Sequence, residues 1–297
     1  MRQGVLFFER AIEETPDFAL GYAGLADCHL LLCDYGFERG DCGFLKARNA
    51  VERALELDPL LAEAHVSLAS ILTSYDWAFE RAEWHFRRAI QLNPGYAAAH
   101  HWYGVDFLAL LNRMPEAEQE ICIALDLNPL DPIVSTSAAY IDFLKRDYGK
   151  AEIRYLQLLR EAPDFQKGWS GLGRLYASMG RYDQAIEMLE KARFLTGDEH
   201  SVLAVLGQVY GMCGKRDKAR EVLSFFQREA QRRYVASQRF TLVHLGLGEI
   251  DEALQYLEAA FQRREGWIIS ACLHPAYDAL RGEPRFQAVV RQLGLSA

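Results

Sequence analysis

Residues Trp169 to Ala192, WSGLGRLYASMGRYDQAIEMLEKA, constrain the fold of this chain more than any other stretch. Trp169, Leu172, Gly173 and Tyr176 fall at i, i+3, i+4 and i+7, one stripe of an α-helix. Gly180 breaks that helix, and Tyr182, Ala185, Leu189 and Ala192 form the stripe of a second. Large residues (Trp169, Leu172, Tyr176) alternate in register with small ones (Gly173, Ala185, Ala192), so two antiparallel helices can interlock at close range. Such a hairpin cannot bury its apolar faces alone and must stack on others like it.

The rest of the chain aligns to this hairpin. Residues 1–18 read as a partial repeat, a second helix carrying Gly4, Phe8, Ala11 and Pro16 without a first helix; this suggests a chain cut from a longer one. Full repeats follow over 19–61, 62–96, 97–131, 132–165, 166–199, 200–233 and 234–267, with a C-terminal cap over 268–297. Their second helices repeat a small–large–small pattern: Ala47, Val51, Ala54; Ala82, Phe86, Ala89; Ala117, Ile121, Ala124. Pro59, Pro94, Pro129 and Pro163 close them, where proline cannot continue the hydrogen-bond ladder. The first repeat holds a long insertion, YGFERGDCG, with Gly36, Gly40 and Gly43 read as loop punctuation. In the second repeat the inter-helix turn carries Tyr75, Asp76 and Trp77 in place of the usual glycine. The second helix of the sixth repeat is expected to run on through QREAQRRY. In the cap, Pro284 and the Phe286–Val289–Val290–Leu293 stripe predict a short helix. No segment alternates as a strand would, so the fold class is all-α.

Little in the sequence points to chemistry. A net charge of −8 argues against a surface dedicated to nucleic acid or anionic membrane, and no apolar run approaches the roughly 18 residues of a membrane span. No signal peptide opens the chain, which points to the cytoplasm, with an extracytoplasmic placement left open if a membrane segment lies upstream. Six scattered cysteines, without a C-x-x-C pair, read as thiols rather than disulfides, although Cys33 and Cys42 flank one loop and could meet. His100 and His101 are adjacent and point about 100° apart, so they cannot share a metal on one helix. His65 and His100 hold the same position in neighbouring repeats and are expected to pack between helices. Gly171/Gly173 and Gly246/Gly248 lack the third glycine and preceding strand of a phosphate loop. No catalytic residue, metal ligand or cofactor is assigned, and the chain reads as no enzyme. The Lys215–Arg239 segment is locally basic and reads as a solvated helix face, the alternative being a contact for an acidic partner surface.

The spacing of Trp169, Leu172, Gly173, Tyr176, Ala185, Leu189 and Ala192 resembles the signature of the tetratricopeptide repeat (TPR), with leucine at its phenylalanine position. The resemblance implies a right-handed superhelical solenoid with a concave groove lined by first helices. Carried over by position, the groove residues are Asp27, Ser70, His101, Tyr140, Phe143, Lys167, Arg174, Gln208 and Gln238. TPR proteins that hold chaperone tails use a Lys/Asn/Arg clamp. Its Lys-and-Asn pair is missing here, where the fifth position of successive repeats is Ala23, Val66, His101, Thr136, Ser170, Ala204 and Gln238. The groove around Tyr140 and Phe143 is apolar and suits a helix or an extended peptide.

Three longer stretches resemble TPR regions of bacterial signalling proteins that carry an N-terminal winged-helix, serine/threonine kinase or cyclase domain. They are FERAIEETPDFALGYAGLAD, SYDWAFERAEWHFRRAIQLNPGYAAAHHWYG and HPAYDALRGEPRFQAVVRQLGL. The resemblance implies a non-catalytic module that binds a protein or peptide, acting as the sensor or scaffold part of a larger protein. The alternative is a self-assembly element, dimerising through the N-terminal flank.

Overall fold

The computed structural model describes residues 1–197 and 199–295; Asp198 and the last two residues of the expected cap lie outside them. The described residues are helical, without a strand, and group into two compact units.

Unit 1 comprises Met1–Asn128 together with Gln262–Ile269. It contains α1 (Arg2–Glu14), α2 (Ala19–Asp34), α3 (Gly40–Leu57), α4 (Ala62–Ile71), α5 (Phe79–Leu92), α6 (Ala97–Trp102) and α7 (Met114–Leu127). Helices pair in sequence, α2 on α3, α4 on α5 and α6 on α7, while α2 and α4 also pack side by side. The small–large–small triplets make this pairing close. Ala82, Phe86 and Ala89 of α5 are each fully buried, as are Ala47, Val51 and Ala54 of α3. Burying one large apolar side chain contributes roughly 1.5–3 kcal/mol, and each second helix supplies one at the same place. By contrast α1 has no fully buried residue; Phe8 lies over Gly24 of α2, while Leu6 and Phe7 are exposed.

The long insertion of the first repeat is mostly helix rather than loop. Only residues 35–39 separate α2 from α3, and the remaining inserted residues lengthen α3 to 18 residues. Gly36 has φ +69° and does turn the chain, but Gly40 and Gly43 lie inside the helix. Cys33 is buried and Cys42 exposed, and both are free thiols.

Unit 2 comprises Pro129–Phe261 and the residues from Ser270 onward. Its helices are α8 (Pro132–Leu144), α9 (Tyr148–Glu161), α10 (Gln166–Ser178), α11 (Tyr182–Thr196), α12 (His200–Met212), α13 (Arg216–Ala230), α14 (Ser237–Leu247) and α15 (Ile250–Gln262). After α15 come the short α16 (Ile268–Ala271), whose first two residues belong to unit 1, a 3₁₀ turn over Pro275–Leu280 and α17 (Pro284–Gln292). The same triplets are buried here, through Ala185, Leu189 and Ala192 of α11 and Ala253, Leu257 and Ala260 of α15. The basic run does not extend α13, which ends at Ala230. In the cap, α17 buries Phe286, Val289 and Val290. Arg285 ties it to Glu258 of α15 through two hydrogen bonds of 2.8 and 2.6 Å.

Two features recur in both units. One lies where a repeat begins. The His65 and His100 rings and the Trp169 indole each hydrogen-bond, at 3.1, 3.1 and 2.7 Å, the carbonyl of the proline six residues earlier. The expected packing of the two histidines between helices is therefore accompanied by a polar tie. His100 Nδ1 also lies 2.6 Å from the Glu120 carboxylate, whose hydrogen bond raises the histidine's pKa. His65 instead meets His85 at 2.8 Å, and burial lowers the pKa of both.

The other feature lies in the turn between paired helices. Trp77, Asn112, Arg146, Gly180, Gly214 and Gly248 all have positive φ, between +59° and +80°. After each of the last five, the next N–H reaches back to a carbonyl five residues earlier, as in Asp147 to Asp142 and Arg181 to Tyr176. That is the Schellman ending, which glycine accepts freely and an L side chain accepts at a cost of roughly 1 kcal/mol.

Candidate functional site: the first-helix face

In unit 2 the first helices of the repeats are α8, α10, α12 and α14. Five of the nine residues expected to line a groove, Tyr140, Phe143, Arg174, Gln208 and Gln238, lie on these helices and converge on the chain's own residues 274–277. The Tyr140 and Phe143 rings stand 6.1 and 5.3 Å from the His274 imidazole. Gln208 donates from Nε2 to the Ala276 carbonyl at 3.3 Å. Gln238 lies beside the buried Tyr277 hydroxyl, and Arg174 adds positive charge beside both His274 and Tyr277.

The chemistry of the inserted run explains why it stays there. His274 precedes Pro275, and its Nδ1 accepts the Ala276 N–H at 3.0 Å, capping the 3₁₀ turn. Burial, reinforced by Arg174, Arg146 and Arg281, depresses the His274 pKa to about 3, so the ring is neutral and can accept that bond. Burial raises the Tyr277 hydroxyl's pKa. Tyr277 and Leu280 are fully buried. Asp278 stays at the surface, where the Arg146 guanidinium grips both carboxylate oxygens at 2.8 and 2.9 Å. Such two-pronged pairs are among the stronger polar contacts. Lys167, at the start of α10, is half-buried.

In unit 1 the expected groove residues are Asp27, Ser70 and His101. The Asp27 carboxylate sits 2.5 Å from the Ser67 hydroxyl. Burial and the nearby Glu63 charge outweigh that bond and raise the Asp27 pKa to about 7. Ser70 and His101 are buried. The same unit holds residues 262–269 in contact with α2, α3 and the turn after α4. Arg264 donates to the Tyr75 carbonyl at 2.7 Å, and its guanidinium lies 4.4 Å from the centre of the Trp77 ring. Gly266 fits tightly: a Cβ there would stand 2.7 Å from the Asp34 carboxylate and 3.3 Å from the Phe44 ring. Ile268 and Ile269 are fully buried.

Arg146, Tyr277, Asp278 and Arg264 were not among the expected site residues. One signal for Arg146 existed: it stands 34 positions before Gly180, where the repeat calls for glycine. Among the described residues no cluster of three or more His, Cys, Asp or Glu side chains could hold a metal, and no helix is long and apolar enough to cross a membrane.

The family pattern described as Tetratricopeptide repeat matches residues 143–209, the part of the chain around the α10–α11 hairpin. These repeats are tetratricopeptide repeats. The TPR chain is 25% identical to anaphase-promoting complex subunit 3 of Schizosaccharomyces pombe over 209 residues, 70% of this chain and 30% of that protein. It is 25% identical to the CTR9 homologue of Arabidopsis thaliana over 264 residues, 84% of this chain and 22% of that one. It therefore spans less than a third of the length of these curated relatives. Among solved structures, yeast Tom70 superposes with a TM-score of 0.59 at 15% identity, covering 97% of this chain and 61% of that one. At that identity the likeness shows the TPR fold alone.

Proposed function

We propose that this chain is a non-catalytic protein-interaction module that binds a segment of another polypeptide along its first-helix face. One observation carries the reading. In unit 2 that face already holds a polypeptide run, through a backbone carbonyl at Gln208, an aromatic cluster at Tyr140 and Phe143, and an ion pair at Arg146. These are the contacts peptide recognition uses. Asp27, Ser70 and His101 are the corresponding face of unit 1, and Lys167 extends that of unit 2. The stretches that resemble bacterial signalling proteins support a role as the sensor or scaffold part of a larger protein of that kind.

The test is capture from a lysate of the source cell with this chain as bait, followed by cross-linking and mass spectrometry. A specific partner cross-linked to residues on α8, α10, α12 or α14 is the expected result. No specific partner, or cross-links confined to second helices, refutes the reading.

A specific observation also favours self-assembly. On α1, Leu6 and Phe7 are 61% and 67% exposed, side by side on a helix without a buried residue. Exposed apolar patches of this kind mark contact surfaces. Light scattering at several concentrations tests it, with a monomer at every concentration as the refuting result.

A further inference from the structure

The left-handed turn residues recur every 34 or 35 positions, as Trp77, Asn112, Arg146, Gly180, Gly214 and Gly248. Glycine holds three of these sites, and asparagine is the side chain that tolerates the conformation best. Trp77 and Arg146 are the exceptions, and both grip the C-terminal run. In unit 1 the Trp77 ring lies against the Arg264 guanidinium. In unit 2 Arg146 holds Asp278. Strained backbone kept at a position where glycine would relax it points to what its side chain does.

The grip in unit 2 is also accessible. The Arg146 and Asp278 side chains are 36% and 48% exposed, while Tyr277, the residue before Asp278, is buried. The run thus presents an anchored ring and an adjacent carboxylate at the surface. An incoming chain can compete for Arg146 first and for the ring pocket afterwards.

We propose that residues 273–281 are the resident occupant of a peptide site in unit 2, which accepts in their place a segment of another protein carrying an aromatic residue followed directly by a carboxylate residue. The incoming ring replaces that of Tyr277 beside Gln238, and the incoming carboxylate replaces Asp278 on Arg146. This deepens the interaction reading above and rests on it.

The probe is a fluorescein-labelled synthetic peptide of residues 273–283, titrated by anisotropy against the full chain. In the wild type the resident run competes, so binding is weak. Asp278→Ala loosens the resident and frees Arg146, and is expected to bind the peptide roughly tenfold tighter or better, because the open fraction rises. Adding Arg146→Ala to that variant is expected to remove the gain, as is replacing the peptide's aspartate by asparagine. A folded Asp278→Ala chain that binds no peptide overturns the proposal. Amide exchange in the wild type gives an answer independent of variant folding. Protection of residues 276–281 is expected to be lost well before that of α10 and α11, and exchange of the run only together with those helices overturns the proposal. A captured partner cross-linked to α8, α10, α12 or α14, combined with no peptide binding, defeats this proposal while leaving the interaction reading intact.

Discussion

Replacing Gly246 by alanine tests whether unit 2 owes its stability to one close helix crossing. Gly246 of α14 and Gly211 of α12 face each other so closely that a Cβ on Gly246 would stand 2.2 Å from the Gln208 carbonyl oxygen. One on Gly211 would stand 2.4 Å from the Gly246 carbonyl carbon. Contact between such atoms needs about 3.5 Å, so the helices must part by roughly 1 Å. The obstacle is backbone on both sides, which cannot rotate away. A gap of that size forfeits a quarter to a half of the dispersion energy of each contact it opens. Val205, Leu206, Val209, Leu242 and Val243 are all buried on these two helices. The cost should therefore reach or exceed the upper end of the roughly 1–3 kcal/mol range for overpacking. Urea unfolding followed by circular dichroism should show a lower midpoint, with amide exchange accelerated first in α12 and α14. Gly149→Ala is the control, since nothing lies within 4 Å of a Cβ there, and it should be neutral or mildly stabilising. A Gly246→Ala protein that melts with the wild type would refute the close-crossing argument.

Ala185→Leu places three extra carbons at a fully buried site of α11 and should cost at least roughly 1–3 kcal/mol, read as a fall in melting temperature. His274 has a native pKa near 3, below its unfolded value, so its contribution to stability is complete at neutral pH and is lost as pH falls from about 6.5 towards 3. That amounts to about 2 kcal/mol between pH 7 and 5, and His274→Asn, which can still accept the Ala276 N–H, should flatten the measured dependence. Asp27 has the opposite sense of shift for an acid, its native pKa lying above its unfolded one, so its charge costs stability as pH rises from about 4 through 7. Asp27→Asn keeps an acceptor for Ser67 and should stabilise the chain more at pH 8 than at pH 5; a gap independent of pH would contradict the assigned cause.

The second-helix triplets were legible because they depend on a helix burying the same three positions in every repeat. Ala82, Phe86 and Ala89 could be read from their spacing, and so could His65 and His100 as residues packed between helices. Lengthening α3 in place of a loop was not legible, because Gly40 and Gly43 weaken a helix in isolation and are retained here by packing against Arg264 and Cys33. Tyr140, Phe143, Gln208 and Gln238 were found by counting positions along first helices. What meets them, His274 to Tyr277, was not, because those contacts join residues from about forty to more than 130 positions apart. Local periodicity carries no information at that range. Trp77 and Arg146 lay between these cases: each was visible as a departure from glycine, but its reason lay elsewhere in the chain.

Unit 1 also has an unusual schedule. Most of its helices contact neighbours one repeat away, but Arg264 reaches Tyr75 across 189 positions and Gly266 seals against Phe44 and Ser74. At about 5–20 residues per second, a ribosome reaches Arg264 roughly ten to forty seconds after Tyr75. During that interval α2 to α5 can form while the place for Gly266 stands open. Local stacking is fast and distant closure is slow, so the refolding of unit 1 acquires a late step that belongs to its earliest repeats.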